Sequence, residues 1–510
     1  VARTIKKECG PITVTESLRI DGSLTLEPGV VLKFQPDTEL IVGYHGAAKL
    51  IVKGGEAPDQ RVVMTSAGDQ AAGVWKGINL EAGADRSQIT GLDLDYAGDA
   101  GGAAIRMQDT SDVTLSKTRI RHAKEHALVT RGKVSFAEFA GNQIEDAGKL
   151  ALSLEPSTVG TLGTSNTFSP DAVIEIRGGT VDADATWKNA GAPYQVTETV
   201  QVQNQTGATL TISDATLAFM SDAQLMIGYS LRGKLKIVGP AVLTGVDGKP
   251  GSWPGIDIGD TGEAMIENAT LSNGGAADRG VLTVQSGGKL TLGEVTFKDN
   301  KVGLWAADRS SLTASKPLTF RGNERAAHLS ATGLGALAAA NVYGDGQIID
   351  VVGGALHADT TWLSQAKASV QLLGNVDVDG SFTLTIRGGT YQWKPDTGMR
   401  IGYSAPGSLK IVGKANAPVT FTSLLEGEAW KGIDLSDHAR AIELTYLDLA
   451  DASGDAGVLA RPNVAGKLDH VTCARCAATF APACGAKLET SATVAAGPQT
   501  KLAIKKPTGC

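Results

Sequence analysis

The chain repeats itself at a long, fixed interval. The segment LMIGYSLRGKLKIVG begins at Leu225 and MRIGYSAPGSLKIVG begins at Met399, and a looser copy, LIVGYHGAAKLIVKG, begins at Leu40. Downstream of each lies a second shared element: VWKGINL around Trp75, SWPGIDI around Trp253 and AWKGIDL around Trp430, with the tryptophans 178 and 177 residues apart. A third, DADATW ending at Trp187, returns as HADTTW ending at Trp362. Recurrence at a fixed period marks stacked-repeat architectures, in which each unit buries its apolar face on the next. The copies define three superrepeats, 1–192, 193–366 and 367–510. No Pro/Ser linker or charge block separates them, so one continuous solenoid is expected.

A shorter period indicates what is stacked. In the third superrepeat Leu409, Ile433 and Val458 are 24 and 25 residues apart, and Phe421, Leu444 and Leu468 are 23 and 24 apart. A coil of that length is too short for a helix-connected βαβ unit and matches one turn of a parallel β-helix. SLTLEPGVVLKF, from Ser23, alternates apolar and polar positions as a strand does. The 63 glycines and the short Val/Ile/Leu/Thr runs favour strands joined by tight turns. Aromatics are only 5% of the chain, which predicts a thin, aliphatic core. Helical repeats share this period but need longer stretches with apolar spacing near 3.6. The best such candidate, ATGLGALAAANV over 331–342, reads equally well as small-residue coil. A β-sandwich array is the other all-β alternative. The expected fold is an all-β parallel β-helix of about 20 coils.

LTLEPGVVLKF at Leu24 to Phe34 and the three Trp-x-Gly-Ile elements resemble the right-handed parallel β-helix (pectin-lyase-like) superfamily. They are most similar to its bacterial cell-surface repeat proteins. The resemblance implies a right-handed coil and covers nearly the whole chain. It leaves activity open, because such folds host lyases, hydrolases, epimerases and adhesins.

Charge and cysteine usage bound the partners. A net charge of −7 without basic clusters argues against nucleic acid, which demands a positive footprint. No apolar run reaches the ~18 residues needed to span a bilayer as a helix. The chain starts at Val1, so removal of an upstream segment is expected, a signal peptide or a lipid anchor among the options. Four of the five cysteines, Cys473, Cys476, Cys484 and Cys510, lie in the last 38 residues, and Cys9 stands apart. The cluster reads as a disulfide cap formed in an oxidising compartment, with zinc binding as the alternative. Of the three possible pairings, Cys484–Cys510, spaced by about one coil, with Cys473–Cys476 is preferred.

Three motifs invite chemistry. HAKEH, His122 to His126, fits the H-x-x-E-H zinc pattern, but that chemistry needs a helix and the flanking segments read as strands. The Asp93, Asp95, Asp99 cluster and the Asp448, Asp451, Asp455 cluster would admit weak Ca²⁺ binding at Asp93, Asp99, Asp448 and Asp455. The blander reading is Asp and Gly serving tight corners. Trp75, Trp253 and Trp430 occupy one equivalent place three times; they either pack against the coil or offer indole faces to a glycan. The Asn-Thr-Asp, Asp-Asp, Gly-His-Gly and Arg-Ile-Lys strings that the resemblance would require of a polygalacturonase-like hydrolase are missing from the sequence. No catalytic residue and no cofactor are assigned. The expected protein is a secreted or surface-anchored monomer that presents a lateral face to a surface polysaccharide or protein. A polysaccharide lyase or hydrolase with a divergent site is the alternative.

Overall fold

A computed structural model describes residues 2–491, apart from Ala100, Gly101, Lys149 and Ala277. The protein is an all-β parallel solenoid of about 19 turns, close to the expected 20, with 3% helix. It divides into two compact units, Val1–Asp247 and Gly248–Cys510. The superrepeat limits at 192 and 366 fall inside these units, so the unit of sequence repetition is not the unit of packing.

In the first unit each turn contributes strands to three sides. One side begins Ala2–Ile5, Ser23–Leu26, Lys49–Lys53; the next Ile12–Val14, Val31–Phe34, Val62–Ser66; the third Leu18–Ile20, Glu39–Val42, Gly77–Leu80. The ladders are parallel and set like on like: Leu24 on Leu50, Leu32 on Met64, Leu40 on Ile78, all buried. Strand alternation produces this core, since every second residue of Ser23–Leu26 and of Val31–Phe34 points inward. Corners between the first two sides are made by single residues in the left-handed conformation, such as Gly91, Lys117 and Gly141.

Buried amides hold the corners. In the first unit Asn142 receives the Thr118 N–H on its side-chain oxygen, and both its own N–H and its Nδ2 donate to Asn166 Oδ1 at 3.1 and 3.0 Å. The second unit repeats the device: Asn300 accepts from the Gly274 N–H and donates to Asn323, whose Nδ2 reaches Gln347 Oε1.

One expectation needs correction, and one open reading is resolved. The proposed strand series mixed two sides of the coil. Ile433 does stack on Val458, but its other partner is Met399, not Leu409; Leu444 stacks on Leu468, but its other partner is Ile411, not Phe421. Strands on different sides recur at the same coil length, so spacing alone cannot separate them. The 331–342 segment is helical only over Ala331–Leu334, where Ser330 caps the turn by accepting the Gly333 N–H. Its glycines at 333 and 335 disfavour a longer helix.

Short helical turns mark a change of phase. In the first unit the strand preceding the Gly-Tyr loop, Glu39–Val42, shares a sheet with Leu150–Leu154, Val173–Ile176 and Thr216–Phe219. Its counterpart in the second superrepeat is Gln224–Ile227, which lies in a different sheet. The change follows Pro156–Val159. In the second unit Gly255–Ile258, after Trp253, and Ile433–Leu435, after Trp430, likewise lie in different sheets, with Ala331–Leu334 between them. Equivalent elements within each unit therefore face different sides.

Cys473 and Cys476 form a disulfide with Cα atoms 5.9 Å apart, and Cys9 is free and exposed. Cys510 lies outside the described residues, and with it the expected Cys484–Cys510 pairing.

Candidate functional site

Trp75, Trp253 and Trp430 are fully buried. Each indole N–H donates to a carbonyl one coil on, at Asp95 (3.0 Å), Ser272 (2.9 Å) and Ala450 (2.8 Å). Trp75 stacks on Phe34 with centroids 4.0 Å apart, and Trp430 stacks on Trp393 at 5.1 Å. The glycan-contact expectation for these three is corrected by burial, because none has a ring face for a sugar. They staple adjacent coils. The glycine two residues on has positive φ in every copy (95°, 112° and 78° at Gly77, Gly255 and Gly432), and a Cβ there would meet a backbone oxygen of the next coil at 2.3, 2.4 and 2.7 Å. This explains the invariant spacing of the Trp-x-Gly element.

Four of the six aspartates in the acidic clusters are paired with cations. Asp93 and Asp95 lie in the strand Leu92–Asp95, not at a corner. Asp93 accepts from Arg61 Nε at 2.5 Å, and Arg61, only 4% exposed, also donates to the Leu92 and Lys117 carbonyls. Asp95 takes two bonds from Arg121, both 3.0 Å, and Asp99 pairs with Lys124 at 3.1 Å. Asp448 accepts from Thr472 at 2.7 Å; Asp451, at a left-handed corner, is held by Arg475 and Thr422; Asp455 is exposed. The Arg475 guanidinium holds the Asp451 carboxyl below the usual carboxylate range. Among the described residues no group of three or more His, Cys, Asp or Glu side chains is placed to hold a metal ion.

HAKEH spans a bend and the first residue of the strand His126–Arg131. His122 stacks on Tyr96 at 4.8 Å, Glu125 is exposed, and His126 Nδ1 lies 2.5 Å from the Leu150 carbonyl oxygen. The two imidazoles have separate partners, as expected for a pattern without its helix.

Exposed aromatic residues sit instead in the Gly-Tyr repeat. Tyr44 and Tyr403, at equivalent positions of the Gly-Tyr loop, are each 61% exposed. The Arg19 guanidinium carbon lies 5.9 Å from the Tyr44 ring centroid, and that of Arg400 lies 4.9 Å from Tyr403. Arg400 is fixed by two bonds to Asp377, at 2.6 and 2.7 Å, which hold it further toward its charged form. Asp379 anchors the Tyr403 loop by accepting the Tyr403 N–H at 2.8 Å and the Ser404 hydroxyl at 2.7 Å. Tyr44 borders an open depression of about 860 Å³ that is also lined by His45, Lys49, Asp85 and Arg86. The signal lies in the three copies of Gly-Tyr, at 43–44, 228–229 and 402–403; Tyr229 of the second copy is half-buried, and Tyr44 and Tyr403 face solvent.

No protein-family model matches the chain, and no curated protein sequence matches it either.

Proposed function

We propose that the chain is a non-catalytic, secreted or surface-anchored β-helix protein whose flanks contact glycan. The observation that carries this reading is the pair of exposed loop tyrosines, each with an arginine beside its ring. An exposed aromatic next to a fixed polar group is a common way to hold the apolar face of a sugar together with its hydroxyls. The neutralised carboxylates support the non-catalytic part. A general acid needs a raised pKa, whereas Asp451 is shifted the other way, and Asp93, Asp95 and Asp377 are bound to guanidinium groups. The LTLEPGVVLKF and Trp-x-Gly-Ile segments favour the bacterial surface branch of the pectin-lyase-like superfamily, and so an extracellular or outer-surface setting.

The test is binding to an array of bacterial surface polysaccharides, repeated with Tyr44→Ala, Tyr403→Ala and the double variant. Binding that falls in the variants while melting stays unchanged supports the reading. Parallel incubation with uronic-acid and neutral polysaccharides, with and without Ca²⁺, should release neither unsaturated products nor reducing ends. Sustained turnover would put the lyase or hydrolase reading first.

A further inference from the structure

The first Gly-Tyr loop differs from its two copies in how its backbone is capped. In the second copy Gln203 Oε1, from the preceding coil, accepts the Ser230 and Leu231 N–H groups at 3.1 and 3.3 Å. In the third, Asp379 accepts the Tyr403 N–H at 2.8 Å and the Ser404 N–H at 3.4 Å. Asp21 holds the corresponding place in the first copy, since Ile20 pairs with Val42 as Val378 pairs with Ile401. It makes no bond to the loop, and among the described residues the N–H groups of Tyr44, His45 and Gly46 meet no acceptor. The base of the loop is otherwise alike: the Gly43 carbonyl accepts the Gly83 N–H and the Gly402 carbonyl the His438 N–H, both at 3.1 Å.

The side chains beside the loop differ in the same sense. Lys49 lies in register on Ser23, and the Leu50 N–H donates to Ser87 Oγ at 3.2 Å, which sets Arg86 beside Lys49 on the next coil. The matching column of the third copy is Thr383, Ser408 and Arg440, so Lys49 stands where that copy has serine. Lys49 and Arg86 are exposed, and with Tyr44, His45 and Gly46 they line the open depression of about 860 Å³. The Arg86 side chain is 73% exposed and its nearest carboxylate, Asp112, is 3.7 Å away. Asp85, the carboxylate in the lining, already accepts the Ser111 N–H and hydroxyl at 2.6 and 2.9 Å. Successive backbone N–H groups without acceptors, next to two cations, make a concavity suited to an anion. A carboxylate is satisfied by one guanidinium fork, whereas a phosphate has oxygens enough for both cations and the loop N–H groups together.

We propose that the first Gly-Tyr loop, with Lys49 and Arg86, binds a phosphate group of the ligand, held by the Tyr44, His45 and Gly46 N–H groups and the two cations. For what carries the phosphate this rests on the glycan-contact reading at Tyr44; it adds the charged group and confines it to one of the three copies. The test uses the full chain labelled with ¹⁵N at tyrosine and histidine, titrated with glycerol 3-phosphate at constant ionic strength. The Tyr44 and His45 amide resonances should shift along a saturable curve while that of Tyr403, whose N–H is capped, stays in place. Lys49→Gln and Arg86→Gln should each weaken the binding by about threefold, and the double variant should show no saturation. Shifts that do not saturate, or a double variant with wild-type affinity, overturn the site. So does an equal response to acetate, which would make it a contact for any anion. Binding to phosphatidylglycerol vesicles without a response to glycerol 3-phosphate overturns it too, in favour of a membrane surface. A phosphate response in a protein that binds no polysaccharide removes the glycan reading and leaves the phosphate site. Polysaccharide binding lost in Tyr44→Ala, with no phosphate response, does the reverse.

Discussion

At the scale of single residues, the repeated tryptophans act by volume and by one hydrogen bond. Trp253→Ala or Trp430→Ala removes a fully buried indole and its N–H bond to the Ser272 or Ala450 carbonyl. Each is expected to cost about 3–5 kcal/mol in chemical denaturation. Asp93 is a sharper case, because the same carboxylate is open to a metal or a counterion reading. Arg61 is buried, and Asp93→Ala would strand its charge, for an expected loss of about 3–5 kcal/mol. Melting curves of the wild type in Ca²⁺ and in chelator should coincide; a Ca²⁺-dependent shift lost in Asp93→Ala would restore the metal reading. Asp451 adds a pH dependence. Its carboxyl is lowered by Arg475, so the pair stabilises the fold above the ordinary carboxylate range, and this contribution is lost as pH falls through the depressed value. Arg475→Ala should therefore be less stable than wild type at neutral pH, and the gap should close in acid. The packing role of the tryptophans was legible in the sequence, because identical residues at identical positions usually serve structure. The roles of the aspartates were not, since Arg61, Arg121 and Arg475 reach them from another coil, 24 to 32 residues away.

At the scale of elements, each coil is held by features that local patterns reveal only in part. Alternation marks strands such as Ser23–Leu26 and Val31–Phe34 directly, because one face is buried and the other is not. Which strand stacks on which is a three-dimensional fact, and so Leu409 was placed over Ile433 although the two lie on different sides of the coil. The amide ladder was equally hidden, since nothing local separates Asn300 and Asn323 from turn asparagines. Both are buried, and every bond between them crosses from one coil to the next. Asn300→Ala leaves the Gly274 N–H without an acceptor and is expected to cost about 1–3 kcal/mol in denaturant titration. Gly255→Ala should be worse tolerated than an alanine at an exposed strand position such as Lys289, because its Cβ would press on the Val281 carbonyl at positive φ. Comparable melting temperatures for the two variants would contradict the close approach.

At the scale of the molecule, the covalent frame is simply tested. Under non-reducing conditions peptide mapping should recover Cys473 joined to Cys476, and Cys9 should react at once with a thiol reagent without denaturant. A buried or paired Cys9 would contradict its exposed placement. Among the described residues no helix is long and apolar enough to cross a membrane.

The change of phase has a consequence for ligands. From Gly255–Ile258 to Ile433–Leu435 the chain makes twenty-one further strands and the α-helical turn Ala331–Leu334; from Glu39–Val42 to Gln224–Ile227 it makes twenty-one strands and the α-helical turn Pro156–Val159, besides the short 3-10 turn Pro58–Gln60. With three sides to a turn, a copy amounts to seven turns and one side more. Like groups within a unit are thus arranged as on a spiral stair. A straight polymer laid along one flank meets a given loop once, and a polymer that engages two like loops of one unit must wind around the protein as it climbs. Tandem copying here does not create a row of identical docking points, so avidity from repetition is reserved for ligands that are themselves flexible or curved.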